Sequence, residues 1–226
     1  MFEPGLLEGA PLSGPHPIYV VDDEPGIRMS LVHALESDGH VVWSFSSGPD
    51  LLAVLDTVPP GCQLLDIAMP EMDGLAVMAE LTARRCDWPV IVMTAHGDIP
   101  TAVAAMKLGA MEFIEKPFGR NVLPDAIARA LAHLALSDIR RADRRAARAL
   151  LARLTPKEML VLRALMTGDP NKVIAHRLGL SVRTVEMHRA NLLAKLEMRS
   201  VQQAAAQLSG MLDEMPLHHL SISPRA

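Results

Sequence analysis

Five short apolar runs recur at nearly even intervals over the first half of the chain, and they restrict the possible folds more than any other feature. They begin at Ile18, Val41, Gln63, Val90 and Met111. Runs this short, most of them β-branched or aromatic, indicate buried strands. The segments between them repeat apolar residues at helical spacing. Strand and helix alternating in this way predict an α/β domain, with a doubly wound parallel sheet covered by helices on both faces.

Polar residues stand at the ends of four of these runs. Asp22 and Asp23 follow the first run, Asp66 ends the third, Thr94 follows the fourth and Lys116 follows the fifth. Because the carboxyl ends of parallel strands meet at one edge of a sheet, we expect these side chains to lie together. Taken singly, each has an ordinary explanation, such as a helix cap or a solvated lysine. Their convergence favours a common site.

The predicted site combines carboxylates with groups that bind anions. Crowded carboxylates repel one another unless a cation neutralises them, and oxygen ligands suit Mg²⁺. A lysine ammonium and a threonine hydroxyl beside them can hold the oxygens of a transferred phosphoryl group. The chemistry predicted from this set is nucleophilic attack by Asp66, which would become an aspartyl phosphate.

Charge is unevenly distributed along the chain. Residues 1–136 carry 7 Lys and Arg against 18 Asp and Glu, a net charge of −11. Residues 137–154 have a net charge of +4, and residues 155–226 have +3. An acidic N-terminal part and a basic C-terminal part predict two domains with different partners. A basic C-terminal domain is compatible with a nucleic acid partner.

The composition favours a cytoplasmic protein that does not cross a membrane. The two cysteines, Cys62 and Cys86, lack metal-binding spacing and are interpreted as reduced thiols. No apolar run approaches the length of a membrane span. Residues 1–16 have no basic start typical of a secretory signal, so we expect a loose leader there.

The last third of the chain has the pattern of a helix-turn-helix. Residues 155–158 (Thr-Pro-Lys-Glu) form a capping box with proline at the first helical position. A second helix is expected to begin near Asn171, and a tight turn at 179–181 (Gly-Leu-Ser) separates it from a third. The same spacing fits a small helical domain that binds protein, whereas the outer face of the third helix suits a DNA major groove.

The third helix of this pattern has two different faces. We expect its inner face to bury Val182, Val185, Leu192, Leu193 and Leu196. Its outer face and the positions beside it present polar and basic groups suited to bases and phosphates. The candidate DNA contacts are Lys172, Arg183, Thr184, Glu186, Met187, His188, Arg189, Asn191 and Lys195.

The segment between the two predicted domains, residues 137–153, contains no Gly or Pro and is rich in Ala and Arg. These are strong helix formers, so the fifth helix of the α/β domain can run on through it. A solvated charged helix and a phosphate-binding strip both fit its basic residues.

Residues 17–136 resemble the receiver domain of bacterial two-component response regulators. The matching segments are YVVDDE at 19–24, LLDIAMPEMDG at 64–74, VIVMTAHGD at 90–98 and FIEKPF at 113–118. The resemblance implies a flavodoxin-like (βα)5 fold. It also implies that a cognate sensor histidine kinase phosphorylates the domain.

This resemblance assigns a role to each polar residue of the predicted site. Asp66 would accept the phosphoryl group, and phosphorylation would promote homodimers through residues 99–132. The implied Mg²⁺ site consists of Asp22, Asp23, Asp66 and the backbone carbonyl of Ala68. The implied phosphoryl-contacting and switch residues are Thr94, Lys116 and Phe113.

The C-terminal segments resemble the LuxR-type DNA-binding domain. They are LTPKEMLVL at 154–162, NKVIAHRLGLSVRTVEMHRANLLAKL at 171–196 and MRS at 198–200. Joined to a receiver, they are similar to the NarL/FixJ class of regulators, and more to its FixJ branch. The resemblance implies a fourth helix at 201–212 that pairs with its twin in the DNA-bound dimer. The contacts expected there are Ala204, Ala205, Leu208 and Leu212.

The resulting prediction is a response regulator in which phosphorylation of Asp66 controls binding to promoter DNA. The domains expected are a leader (1–16), a receiver (17–136), a helical linker (137–153), a four-helix helix-turn-helix domain (154–215) and a tail (216–226). The tail contains His218 and His219, for which no metal site is expected.

Two other functions share part of this pattern. An aspartate-based phosphatase of the haloacid dehalogenase type has a second acid two residues after its nucleophile, where this chain has Ala68. In a receiver that acts only as a phosphate sink or adaptor, the predicted helix-turn-helix would have no function. We therefore expect a protein that is not an enzyme.

Overall fold

The computed structural model describes residues 16–95 and 97–212, apart from the side chains of residues 209, 210 and 212. The predicted leader and tail, with His218 and His219, lie almost entirely outside these residues. The chain divides into two compact units between Asp138 and Ile139. Each unit is considered by itself. The domain boundaries named above stay predictions.

The first unit is built on a parallel sheet of five strands in the order β2-β1-β3-β4-β5. A helix connects each strand to the next, as parallel pairing requires. This confirms the predicted α/β class. The strands are β1 (Ile18–Val21), β2 (Val42–Phe45), β3 (Cys62–Asp66), β4 (Val90–Thr94) and β5 (Glu112–Glu115). The helices are α1 (Pro25–Ser37), α2 (Gly48–Val54), α3 (Gly74–Ala83), α4 (Ile99–Lys107) and α5 (Val122–Leu151).

Strand residues alternate between two apolar layers. In β1, Tyr19 and Val21 belong to one buried cluster, while Ile18 and Val20 belong to the other. Successive side chains of a strand point to opposite faces, so a central strand buried on both sides must be apolar throughout. The run IYVV meets this condition, and all four of its residues are fully buried.

The helix α5 runs without interruption from Val122 to Leu151. It therefore includes most of the segment expected to link the two domains. Near its end, Ala147 and Leu151 are buried in the apolar cluster of the second unit. No helix among the described residues is long and apolar enough to cross a membrane.

The second unit contains four further helices around one apolar cluster. Thr155 caps the first of them through the predicted capping box with Glu158. Gly179 ends the second in the left-handed conformation, with φ of 64°, which glycine adopts without strain. Ser181 then caps the third. These helices are α6 (Pro156–Met166), α7 (Asn171–Leu178), α8 (Val182–Lys195) and α9 (Val201–Leu212).

Two predictions about this unit were wrong in detail. Val182, the first residue of α8, is 41% exposed, whereas Val185 and Leu192 further along the helix are fully buried. Ala204 and Leu208 are fully buried in their own unit's cluster, so their side chains are not available to a twin helix. A unit this small needs the apolar face of α9 to complete its core.

The burial of Leu208 gives a testable expectation. Replacing Leu208 by Ala should lower the free energy of unfolding of the helical unit by about 2–5 kcal/mol, because a cavity remains in a packed core. Urea unfolding of the full chain, followed by circular dichroism, measures the change. Gln207, the exposed neighbour on the same helix, supplies the control, and Gln207→Ala should change stability by less than about 0.5 kcal/mol. A Leu208→Ala protein as stable as the control would contradict this packing.

Candidate functional site

The carboxyl edge of the sheet gathers the polar residues that follow its strands. Asp22 comes directly after β1, Asp66 and Thr94 end β3 and β4, and Lys116 comes directly after β5. The parallel register places Asp66 opposite Met93 and Thr94 opposite Glu115, so neighbouring strands end at nearly the same level. The structure thus brings Asp22, Asp66 and Lys116 into direct contact.

Lys116 lies between two buried carboxylates. Its Nζ donates to Asp22 Oδ2 at 2.7 Å and to Asp66 Oδ1 at 2.6 Å. Asp22 is only 1% exposed and Asp66 only 5%. One ammonium therefore partly neutralises two carboxylates that would otherwise repel each other inside the protein.

The surroundings of Lys116 act on its pKa in opposite directions. Burial lowers the pKa of the ammonium, but hydrogen bonds and charge from Asp22 and Asp66 outweigh it, and the net pKa is raised. The group therefore stays protonated at neutral pH. The carboxyl edge of the sheet therefore carries a positive charge at Lys116.

Backbone amides fix the other oxygen of each carboxylate. Asp66 Oδ2 accepts the N–H of Ala68 at 2.8 Å, and Asp22 Oδ1 accepts the N–H of Glu24 at 2.9 Å. In both cases the donor lies two residues further on, which is the pattern of an Asx turn. The orientation of both carboxylates is thereby set by the loops that carry them.

Gly74 allows the helix α3 to begin beside the backbone of Asp66. A Cβ atom at this position would lie 2.4 Å from the carbonyl oxygen of Asp66 and 2.9 Å from the Cα of Ile67. The preceding residue, Asp73, caps the helix by accepting the N–H of Ala76 at 2.7 Å. Sequence reasoning identified the turn but not this steric need for glycine, which only the close approach of two backbone segments reveals.

The remaining predicted residues lie on the same strands or in the loops that follow them. The Thr94 side chain is buried, and its carbonyl accepts the N–H of Lys116 at 2.7 Å. Asp23 is half-buried, and Ala68 is exposed beside Asp66. Phe113 is half-buried and packs against the apolar cluster on one side of the sheet.

The predicted magnesium site can be compared with the donor atoms present. No group of three or more His, Cys, Asp or Glu within residues 16–95 and 97–212 is arranged as a metal site. The donors in contact with Lys116 are nonetheless all carboxylate oxygens, from Asp22 and Asp66, and the predicted ligand Ala68 lies two residues after Asp66. Each carboxylate oxygen has two lone pairs, and such hard oxygen donors suit Mg²⁺ rather than a softer metal. The chemistry of the donor set fits the ion.

The outer face of α8 is exposed to solvent as predicted. Met187 is 53% exposed. Thr184 is half-buried, and its N–H donates to the capping oxygen of Ser181 at 3.0 Å. His188 and Arg189 are also half-buried. The exposed members of the predicted DNA-contacting set are Lys172, Arg183, Glu186, Met187 and Asn191.

Lys195 differs from the other predicted DNA contacts. Its Nζ donates to Glu158 Oε2 at 2.7 Å, and Glu158 is only 4% exposed. Burial raises the pKa of Glu158, but hydrogen bonds from Lys195 and Thr155 outweigh it, so the net pKa lies below the ordinary value. The sequence indicated Lys195 as a flanking cation and gave no signal of this partner, which lies on another helix.

Family models match both parts of the chain. Residues 18–128 match the response regulator receiver domain, and residues 152–208 match the luxR family of bacterial regulatory proteins. The chain is 42% identical to the transcriptional regulatory protein FixJ of Rhizobium meliloti over 184 residues, which cover 81% of this chain and 90% of that protein. It is 38% identical to the C4-dicarboxylate transport transcriptional regulatory protein DctR of Rhodobacter capsulatus over 193 residues, covering 83% and 96% of the two chains.

Solved structures show the same likeness. The response regulator StyR, known from a low-resolution structure, is 36% identical and matches with a TM-score of 0.76 over 87% of this chain and all of its own. Full-length FixJ from B. japonicum is 33% identical and matches with a TM-score of 0.53 over 89% of this chain and 98% of its own.

Substitution of Gly74 tests the steric constraint beside Asp66. Gly74→Ala should lower the free energy of unfolding by roughly 1–3 kcal/mol, because the contacted atoms belong to the backbone and cannot move aside cheaply. Gly26, in the first turn of α1, is the matched control, since a Cβ there meets nothing within 4 Å. Gly26→Ala should be neutral or stabilising by up to about 1 kcal/mol. Equal effects of the two substitutions in urea unfolding would contradict the constraint.

The pKa of Glu158 predicts how stability depends on pH. A carboxyl whose folded pKa is depressed stabilises the fold above its unfolded pKa of about 4.3, and this contribution is lost as pH falls through the lower folded value. The stability advantage of the wild type over Glu158→Gln should therefore shrink below about pH 4.3. Urea unfolding of both proteins across the acid range measures it. An advantage that does not vary with pH would contradict the depressed pKa.

Proposed function

The chain belongs to the two-component response regulators that join a receiver domain to a LuxR-type DNA-binding domain, and from this premise we propose that Asp66 is its phosphoacceptor. The observation that carries the proposal is the contact of Lys116 with two buried carboxylates at the carboxyl edge of the sheet. Of the two, Asp66 lies on the central strand β3 and precedes an exposed loop residue, Ala68. A phosphoryl donor can approach it from that side.

The proposed reaction is transfer from a phosphohistidine of the cognate sensor kinase. A carboxylate oxygen of Asp66 attacks the phosphorus, the phosphorus–nitrogen bond breaks, and the histidine nitrogen leaves with that electron pair. The amide of Ala68 holds the carboxylate in one orientation. Lys116 can then donate to an oxygen of the new acyl phosphate, and the Thr94 hydroxyl is the proposed second donor.

Receiver domains bind Mg²⁺ for phosphorylation. In this chain we assign the ion to the carboxylates of Asp22, Asp23 and Asp66 and to the carbonyl of Ala68. When bound, the ion neutralises the acids and the oxygens of the incoming phosphoryl group. Asp22 and Asp66 are held in place for this by the amides of their own loops.

The proposed response to phosphate is a rearrangement around Thr94 and Phe113. The phosphoryl group adds roughly two negative charges next to Lys116. Thr94 would move toward it, and the half-buried ring of Phe113 would turn inward into the space released. These two residues are the proposed bistable element.

We assign phosphorylation-dependent dimerisation to residues 99–132 and to residues 201–212. Its support in the first unit is an apolar patch on α4, where Ile99, Val103 and Met106 are exposed.

In α9 the exposed or half-buried residues, such as Gln202 and Ala205, are the candidates for contact. The buried Ala204 and Leu208 are excluded.

The proposed output is sequence-specific binding of promoter DNA by α8. Arg183, Glu186, Met187 and Asn191 are exposed on one helical face, which suits base edges in a major groove. Lys172 on α7 and the half-buried His188 and Arg189 on α8 are the proposed phosphate contacts. The family consists of transcriptional regulators, which agrees with this output.

A phosphodonor experiment tests the assignment of Asp66. Incubation of the wild type with acetyl phosphate and Mg²⁺ should add one phosphoryl group by intact mass, raise the dimer fraction in sedimentation and tighten binding to a selected DNA duplex. Asp66→Asn should show none of these changes. Asp73, an exposed acid of the same loop, supplies the control, and Asp73→Asn should respond as the wild type does. Phosphorylation of Asp66→Asn, or none of the wild type, would contradict the proposal.

A further inference from the structure

We propose that Lys195 is a positioning residue for α8, held by Glu158, and that it is not a phosphate contact. The proposal rests on the DNA-binding function assigned above. In this role it would fix the end of α8 to the first turn of α6.

The contact is centred on one carboxylate oxygen. Glu158 Oε2 accepts the backbone N–H of Thr155 at 2.8 Å, the Thr155 hydroxyl at 2.9 Å and Lys195 Nζ at 2.7 Å. Glu158 lies in the first turn of α6, whereas Lys195 is the last residue of α8. The side chain that completes the cap of α6 therefore also binds the end of the DNA-facing helix.

A second ion pair joins the same two segments. Arg153 Nη1 lies 2.6 Å from Glu197 Oε1, so the residue two positions before Thr155 is paired with the residue two positions after Lys195. These side chains are 54% and 71% exposed. An exposed pair contributes little to stability. The buried Glu158 makes the first pair the stronger constraint, because removing one partner leaves an uncompensated charge.

The paired segments connect α5 to α8. Leu151, the last residue of α5, is 1% exposed and shares an apolar cluster with Val185 and Leu192 of α8. The chain then passes through Arg153 and Thr155 to the carboxylate that holds Lys195. A rigid helix fixed at one end keeps its direction, so this contact sets the orientation in which α8 presents Arg183 and Met187.

The same contact argues against a role for Lys195 on a phosphate. Its ammonium already has a charged partner, and moving it to DNA would leave the buried Glu158 carboxylate without a cation, held only by its hydrogen bonds from Thr155. Lysines that neutralise phosphates release counterions, and each contributes about 0.9 to the slope of log affinity against log salt concentration. A positioning residue leaves that slope unchanged, which makes the two roles separable by experiment.

The test uses the full chain, phosphorylated with acetyl phosphate, and a duplex that the wild type selects from a random-sequence pool. Affinity for this duplex and for poly(dI-dC) is measured over a range of salt concentrations for Lys195→Met, Glu158→Gln and the double variant. Arg153→Gln removes the exposed pair and is the control. Circular dichroism and urea unfolding establish that each protein is folded.

Lys195→Met and Glu158→Gln are each expected to weaken binding to the selected duplex about tenfold, with the salt slope and the affinity for poly(dI-dC) unchanged. The double variant should be no weaker than either single variant, because both remove one contact. Arg153→Gln should stay within about twofold of the wild type. If Lys195→Met does not fold, the double variant, which has no unpaired buried charge, gives the same comparison.

Two results would overturn the proposal. One is a salt slope that falls by about 0.9 in Lys195→Met together with equal losses on both DNAs, which identifies a phosphate contact. The other is unchanged or tighter binding in Glu158→Gln, which shows that the carboxylate does not position the helix. Failure of the DNA-binding function is distinct, since the wild type would then select no duplex from the pool.

Discussion

The first unit depends on one electrostatic constraint, the need to neutralise two buried carboxylates at the end of a parallel sheet. Asp22 follows β1 and Asp66 ends the adjacent strand β3, while Lys116 follows β5, with β4 between β3 and β5. The long lysine side chain spans that gap and reaches residues 94 and 50 positions away in sequence. If Asp66 is phosphorylated as proposed, the added charge acts on a cation and on carboxylates that are already held in place.

A different constraint governs the second unit, which must complete an apolar core from short helices. The end of α5 and the apolar face of α9 both contribute to it, through Leu151 and Leu208. This accounts for the failure to identify the contacts of α9 from sequence, since small and apolar residues fit a dimer interface and a domain core equally well. The resemblance to a family favoured a dimer interface, whereas the packing of this chain places the Ala204 and Leu208 side chains in the core of the second unit.

The strands were predictable because short apolar runs identify them. The carboxyl-edge residues were predictable because they stand at the ends of these runs. Buried parallel strands are continuously apolar, and their ends share one edge, so Asp22, Asp66, Thr94 and Lys116 could be grouped without coordinates. The capping box at Thr155 was equally local. Pairings between distant elements were not predictable, and neither was the exposure of Val182, which depends on where the first turn of α8 meets solvent.

The sequence by itself determined the fold class and the family, because these follow from periodicity and motif, and it predicted candidate residues for phosphate chemistry and DNA binding. Only the tertiary structure decided which charges meet. It paired Lys116 with both acids, required glycine at position 74 and turned Lys195 toward Glu158. Such contacts depend on the approach of segments far apart in the chain, and a lysine's sequence context does not distinguish a carboxylate partner from a phosphate.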